Sequence, residues 1–158
     1  MKSSTFSTVV GVVLTFLVAF FLASNLTSYQ NPSQINELRE TLLTDFENRM
    51  DDMQELEGAA ELQERYVVSI EKSLTEGNYK RASMYRFIGF IVVLFGVFVL
   101  RKKKSIGLHL FLAGMLFVVI TGFYSYGMGI VGWALNIGYI IFTTVVGLFY
   151  YIRRGELI

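Results

Sequence analysis

The chain has 158 residues, of which 53% are hydrophobic and only 17% are charged, and its net charge is +1. Several apolar runs reach about 18 residues or more, the length of a membrane-spanning helix, which excludes an ordinary soluble domain. The lack of cysteine excludes disulfide bonds, thiolate metal sites and thiol catalysis, and leaves the redox compartment undetermined. These features together predict an all-α integral membrane protein.

The first apolar run, Phe6–Ala23, follows Lys2 and is interpreted as an uncleaved signal-anchor helix within residues 1–24. A cleaved signal peptide is the alternative, but Phe21 occupies the −3 position of the candidate cleavage site, where a small residue is needed. Small residues recur at every fourth position and predict a face for close helix packing, within this chain or with another. They are Ser7, Gly11, Thr15, Ala19 and Ala23.

Residues 25–81 form a polar segment, and residues 34–76 within it have the apolar spacing of an amphipathic helix or helix pair. A spanning helix flanks each end, so both ends return to one membrane surface, and Gly58 at the midpoint favours a helical hairpin. One long helix lying along the surface is the alternative. Glu76-Gly77-Asn78 predicts the end of this segment, with Gly77 as the residue after the helix. Five apolar residues are predicted to dock a partner: Leu38, Leu42, Phe46, Met50 and Met53.

Acidic residues are concentrated in this segment. Residues 34–76 contain twelve acidic and four basic side chains, hence a net charge of about −8. That charge argues against nucleic acid or anionic lipid as the partner of the segment. The cluster Asp51, Asp52, Glu55 and Glu57 lacks the loop spacing of a calcium site, so we predict no metal and no cofactor.

Residues 82–158 predict three further spanning helices, which start near Ala82, Ile106 and Ile130. The loop 101–105 between the second and third carries four consecutive basic residues: Arg101, Lys102, Lys103 and Lys104. Short loops rich in Lys and Arg stay in the cytoplasm. This loop therefore sets the topology, with both termini cytoplasmic, the acidic hairpin outside, and a plasma or bacterial inner membrane as the location.

Small residues also line the later helices, which predicts packing or pore-lining faces. Asn136 is the most polar side chain within a predicted span, and it either bonds a neighbouring helix or lines a pore. Arg86, near the start of the second span, is expected to reach the lipid headgroups beside Tyr79 and Tyr85; a substrate-binding arginine is the alternative. The packing or pore candidates are Gly11, Thr15, Ala19, Gly89, Gly96, Gly114, Asn136 and Gly138.

No group of residues in the sequence predicts an enzyme. His109 is the only histidine and has no nucleophile or metal-ligand partner, so it is interpreted as a satisfied interfacial residue. We expect a non-enzymatic structural, assembly or partner-docking subunit. It would act through coiled-coil contacts of its outer hairpin, contact membrane lipid, bind a protein partner or a second copy, and bind no nucleic acid. A small oligomeric channel or transporter, lined by Asn136 and threonines, is the alternative.

Overall fold

The computed structural model describes residues 3–51 and 58–153, and every element in these ranges is an α-helix. The bounds are α1 Ser3–Gln30, α2 Gln34–Asp51, α3 Ala59–Ser73, α4 Glu76–Arg101, α5 Ile106–Tyr126 and α6 Ile130–Ile152. In the described part of the chain, α1, α4, α5 and α6 are long and apolar enough to cross a membrane. The prediction of an all-α protein with four such helices is therefore confirmed.

The four long helices form one bundle, in which α4 packs against both α1 and α5, and α6 packs against α5. Neighbouring long helices in chain order are antiparallel. The start of α1 meets the end of α4, where Gly11 lies near Arg101, and the end of α5 meets the start of α6, where Gly122 lies near Asn136. The core between them is apolar. Its buried members are Leu14, Val18, Phe90, Val93, Val97, Leu100, Phe111, Met115, Val118, Val146 and Tyr150.

Glycines bring α4 and α5 together at backbone distance. A Cβ atom built on Gly96 would lie 2.5 Å from the backbone nitrogen of Phe111, and one built on Gly107 would lie 2.5 Å from that of Leu100. Gly89 and Gly114 repeat this arrangement two turns away, where each built Cβ would meet the side chain of the facing helix. Small residues permit such close approach, which increases dispersion contact between helices in an apolar solvent.

Both α2 and α3 lie against the end of the bundle opposite Arg101. Ile35, Ile70 and Leu74 are buried there in a second apolar cluster, with residues from α4, α5 and α6. The Phe46 ring of α2 stacks on the Tyr66 ring of α3, with centroids 4.0 Å apart. Residues 52–57, in which the turn of a hairpin would lie, are outside the described residues, and the hairpin stays a prediction.

The boundary between α3 and α4 corrects one prediction. Glu76, Gly77 and Asn78 do not end a helix but begin α4, which therefore starts six residues before Ala82. The reason is capping: the Thr75 hydroxyl accepts a hydrogen bond from the Asn78 backbone nitrogen. The Asn78 side-chain amide also donates to the final carbonyls of α3, those of Lys72 and Ser73. Gly77, in helical backbone, thus has no terminating role.

A buried arginine cluster and the predicted docking surface as candidate functional sites

The most unusual side chain in the bundle is Arg86, which is charged and only 7% exposed. Its Nη2 donates to the Leu135 carbonyl at 3.3 Å and to Asn136 Oδ1 at 3.1 Å. The guanidinium carbon lies 5.3 Å from the centre of the Tyr126 ring and 4.8 Å from that of Tyr139. Arg86 thus connects α4 to α6 through hydrogen bonds and is flanked by aromatic faces that favour a cation.

Compensation of the Arg86 charge is incomplete within the described residues. No carboxylate there forms a salt bridge with Arg86, and its Nε–H has no hydrogen-bond acceptor. An arginine stays protonated in proteins, so its burial must be balanced by dipoles and aromatic rings. The carbonyl groups and rings around Arg86 supply that balance in this structure.

Asn136 is held in place from two sides. Its amide nitrogen donates to the Gly132 carbonyl at 2.7 Å, which leaves Oδ1 free to accept from Arg86. A Cβ atom on Gly122 of α5 would collide with that same oxygen. The side chain is fully buried, so Asn136 lies within the bundle of this chain and cross-links helices. A pore between several copies involves contacts that a single chain does not contain, and the channel stays a prediction.

The expectation that Arg86 reaches the headgroups is wrong, because its side chain turns into the bundle. A signal for this was present in the sequence. Arg86 lies three residues before Gly89 and four after Ala82, so it shares the helix face of the small residues that pack against α5. A side chain on the face by which a helix packs against its neighbours points into the bundle even when it is charged. In α4, that face carries Ala82, Arg86 and Gly89. The roles of Gly122 and Tyr126 had no comparable signal.

Comparison with protein families, with curated proteins and with solved structures finds no match for this chain. The candidate sites therefore rest on their own geometry.

The five residues predicted to dock a partner occupy different environments. Leu38 is 41% exposed, whereas Leu42 is partly buried and packs against the apolar cluster beneath α2. Phe46 stacks on Tyr66, as described above. The side chain of Met50 and the whole of Met53 fall outside the described residues. Among the members of the set whose side chains the structure describes, Leu38 is thus the most exposed to a partner.

The predicted packing residues divide between the interior and the surface. Gly89, Gly96 and Gly114 are buried between α4 and α5, as described above. On α1, Gly11 is buried, Thr15 is partly buried, and Ala19 is exposed. The Thr15 hydroxyl donates to the Gly11 carbonyl. A Cβ atom on Gly138 would meet nothing within 4 Å, so this glycine faces away from the rest of the described chain.

The basic loop lies at the opposite end of the bundle from α2 and α3. Arg101 ends α4, and Lys102, Lys103 and Lys104 follow it, all four exposed. Lys103 adopts a left-handed backbone conformation with φ of 58°, which turns the chain into α5. His109, one turn into α5, is exposed, and its Nδ1 lies 3.2 Å from the Ser105 carbonyl oxygen. Among the described residues, no group of three His, Cys, Asp or Glu side chains has the arrangement of a metal site.

Proposed function

We propose that this chain is a non-enzymatic membrane protein that presents a partner-docking surface, formed by α2 and α3, at one end of its bundle. The observation that carries the proposal is the attachment of these helices. Ile35, Ile70 and Leu74 are 1%, 0% and 0% exposed, because they are buried against the ends of the long helices. A surface held in one orientation loses less conformational entropy when a partner binds than a tethered one does.

The charge on α2 suggests the chemistry of the partner. Glu37, Glu40, Asp45 and Glu47 are exposed, and the exposed Leu38 lies beside Asp45 at the edge of the face that carries them. A basic protein surface with an apolar side chain at one edge complements this pattern, whether it belongs to another protein or to a second copy of this chain. Such an association would weaken as ionic strength rises, because exposed charges are screened.

In this proposal, α2 and α3 form a helical hairpin outside the membrane, and both termini are cytoplasmic. The Phe46–Tyr66 stack supports the hairpin, since it joins side chains 20 positions apart. The orientation follows from the basic residues Arg101–Lys104 between α4 and α5, which favour the cytoplasmic side of a plasma or bacterial inner membrane. The cluster around Arg86 holds α4 to α6 close to the base on which α2 and α3 rest.

The proposed orientation is testable because the chain has no cysteine, so single cysteines can be introduced without background. Thr44 and Lys104 are both exposed and lie at opposite ends of the molecule. We expect Thr44→Cys to react with a membrane-impermeant maleimide on intact cells. Lys104→Cys is expected to react only after the membrane is permeabilised. Labelling of Lys104→Cys on intact cells would contradict the proposed topology.

The docking function is tested by placing a carboxylate at Leu38. In mild detergent, the tagged wild-type protein is expected to purify in a complex heavier than one 18.0 kDa chain, as measured by native mass spectrometry. Leu38→Glu is expected to reduce the partner-bound fraction about tenfold or more, because the carboxylate would be buried against the apolar side chain of the partner.

Thr44→Glu is the matched control for this experiment. It adds the same charge to an exposed position of the same helix, about 120° around the helix axis from Leu38 and on the side of Glu37, Glu40 and Glu47. A further carboxylate there would face the basic surface of the partner. We expect it to leave the complex intact. The docking proposal fails if Leu38→Glu retains the complex at wild-type level, or if the wild-type protein is recovered only as a single chain. The mass of the complex distinguishes a second copy from a different protein.

A further inference from the structure

A cleft of about 440 Å³ opens where α3 passes the end of α5 and the turn before α6. Its wall includes Arg65, Ser69 and Lys72 of α3, Asn78 of α4, and Ser125 and Tyr126 of α5. None of the residues that line it belongs to α2. The cleft is therefore separate from the acidic surface proposed above for docking, and its ligand is a separate question.

The charge of the cleft is opposite to that of the segment that forms it. Residues 34–76 carry about −8, yet the charged side chains lining the cleft are the cations of Arg65 and Lys72. Arg65 also bonds the Glu61 carboxylate, with Nη2 and Oε1 2.6 Å apart, where both side chains face water. Lys72 has no carboxylate within 4.0 Å among the described residues. Of the two cations that line the cleft, Lys72 is thus the one that forms no salt bridge with a described carboxylate.

Ser125 supplies a second, independent observation. This residue lines the cleft and is only 4% exposed. Its hydroxyl is buried and has no hydrogen-bond partner among the described residues. A buried hydroxyl without a partner is unfavourable, because it has given up its hydrogen bonds to water. A ligand oxygen at the base of the cleft would satisfy it.

The N-terminus of α6 adds partial positive charge to the cleft. Gly129 is the N-cap residue of this 23-residue helix and also lines the cleft. Because glycine has no side chain, no side-chain hydrogen bond caps the first-turn amides of α6. The N-terminus of a long helix carries partial positive charge and attracts anions.

We propose that this cleft binds a phosphate group, carried by a phospholipid headgroup or by a soluble phosphate. A phosphate offers several acceptor oxygens and negative charge to the ammonium of Lys72, the guanidinium of Arg65 and the hydroxyl of Ser125. Tyr124 and Trp133, which are 70% and 53% exposed, lie at the same end of α5 and α6. Exposed Tyr and Trp are typical of the membrane–water interface, so headgroups lie at the level of the cleft.

The test uses the purified full chain in a phosphate-free nonionic detergent and measures binding by calorimetry. The probes are dihexanoyl phosphatidylglycerol, inorganic phosphate, and dihexanoylglycerol, which lacks the phosphate. We expect the phosphatidylglycerol to bind and the dihexanoylglycerol not to bind. The double variant Arg65→Gln/Lys72→Gln is expected to weaken binding about tenfold or more, because two charge-assisted contacts are lost. Ser125→Ala is expected to weaken binding about threefold, because one hydrogen bond from a neutral donor is lost.

Lys80→Gln is the matched control, since Lys80 is exposed at the same end of the molecule but does not line the cleft. It is expected to bind as the wild type does. Binding of inorganic phosphate as tight as that of the lipid would identify a soluble phosphate as the ligand, and binding of the lipid alone would identify a headgroup. The proposal is overturned if neither phosphate probe binds, if dihexanoylglycerol binds equally well, or if the double variant binds as tightly as Lys80→Gln. Arg65 and Lys72 are exposed, so their substitution leaves the core intact.

Discussion

Gly96→Ala is expected to destabilise the bundle by about 3 kcal/mol, at the upper end of the range for overpacked cores. The added methyl carbon would lie 2.5 Å from the Phe111 nitrogen, 2.9 Å from the Phe111 Cα and 3.0 Å from the Gly107 carbonyl oxygen. All three are backbone atoms, so no side chain can rotate away, and α4 and α5 must separate along their contact. The measurement is an SDS titration of the protein in mixed micelles, followed by far-ultraviolet circular dichroism.

Gly138→Ala is the control for this prediction. It makes the same change in another long helix, at a position where the added carbon would meet nothing within 4 Å of the described chain. We expect its unfolding midpoint to equal or slightly exceed that of the wild type, because alanine favours the helix by about 1 kcal/mol relative to glycine. Equal midpoints for Gly96→Ala and Gly138→Ala would mean that the close approach of α4 and α5 contributes nothing to stability.

Asn136→Ala is expected to destabilise the protein by about 3 kcal/mol, at the upper end of the range for a hydrogen bond to a charged group. The variant leaves the Arg86 guanidinium in the bundle without its 3.1 Å acceptor, while its Nε–H already has no acceptor among the described residues. Among the described residues, the Leu135 carbonyl and the rings of Tyr126 and Tyr139 would remain around the charge. The same SDS titration measures the loss.

The double variant Arg86→Met/Asn136→Ala separates the effect of the charge from that of the cavity. Methionine fills much of the space of the arginine stem and carries no charge, while the cavity left by the shortened residue 136 is unchanged. We expect the double variant to be more stable than Asn136→Ala alone, by about 2 kcal/mol or more, because no uncompensated charge remains. Arg86→Met alone completes the cycle, and if the effects of the two single substitutions simply add, the hydrogen bond between Arg86 and Asn136 has no energetic weight.

The sequence was sufficient to predict the four long helices, since hydropathy summed over about 20 residues is a local property of the chain. It also identified Gly89, Gly96 and Gly114, because small residues at helical intervals require no knowledge of the partner helix. The side on which each helix meets its neighbours was harder to predict. The regular stripe of α1 includes Ala19, which is exposed, whereas Leu14 and Val18, which are not part of the stripe, are buried.

Two predictions failed because each relied on the preference of a single residue type. Gly77 looked like a helix terminus because glycine is common there, but the hydroxyl of Thr75 and the amide of Asn78 satisfy the backbone groups between α3 and α4 and start a new helix. Arg86 looked like a residue at the lipid headgroups because arginine usually is. The capping groups of Thr75 and Asn78 are close to Gly77 in sequence, so the first error was one of local reading. Asn136, which holds Arg86 inside the bundle, lies close to it only after folding.

Composition along the chain is enough to establish the class of the protein, with its four apolar helices, its acidic segment and its separated basic loop. The contacts of the charged side chains with the core depend on the folded structure. It placed Arg86 beside Asn136 across 50 positions of sequence, and it brought Lys72 to Ser125 at one cleft. The reason is that burial and pairing depend on helix rotation and crossing, and these are set by the packing of all neighbours at once.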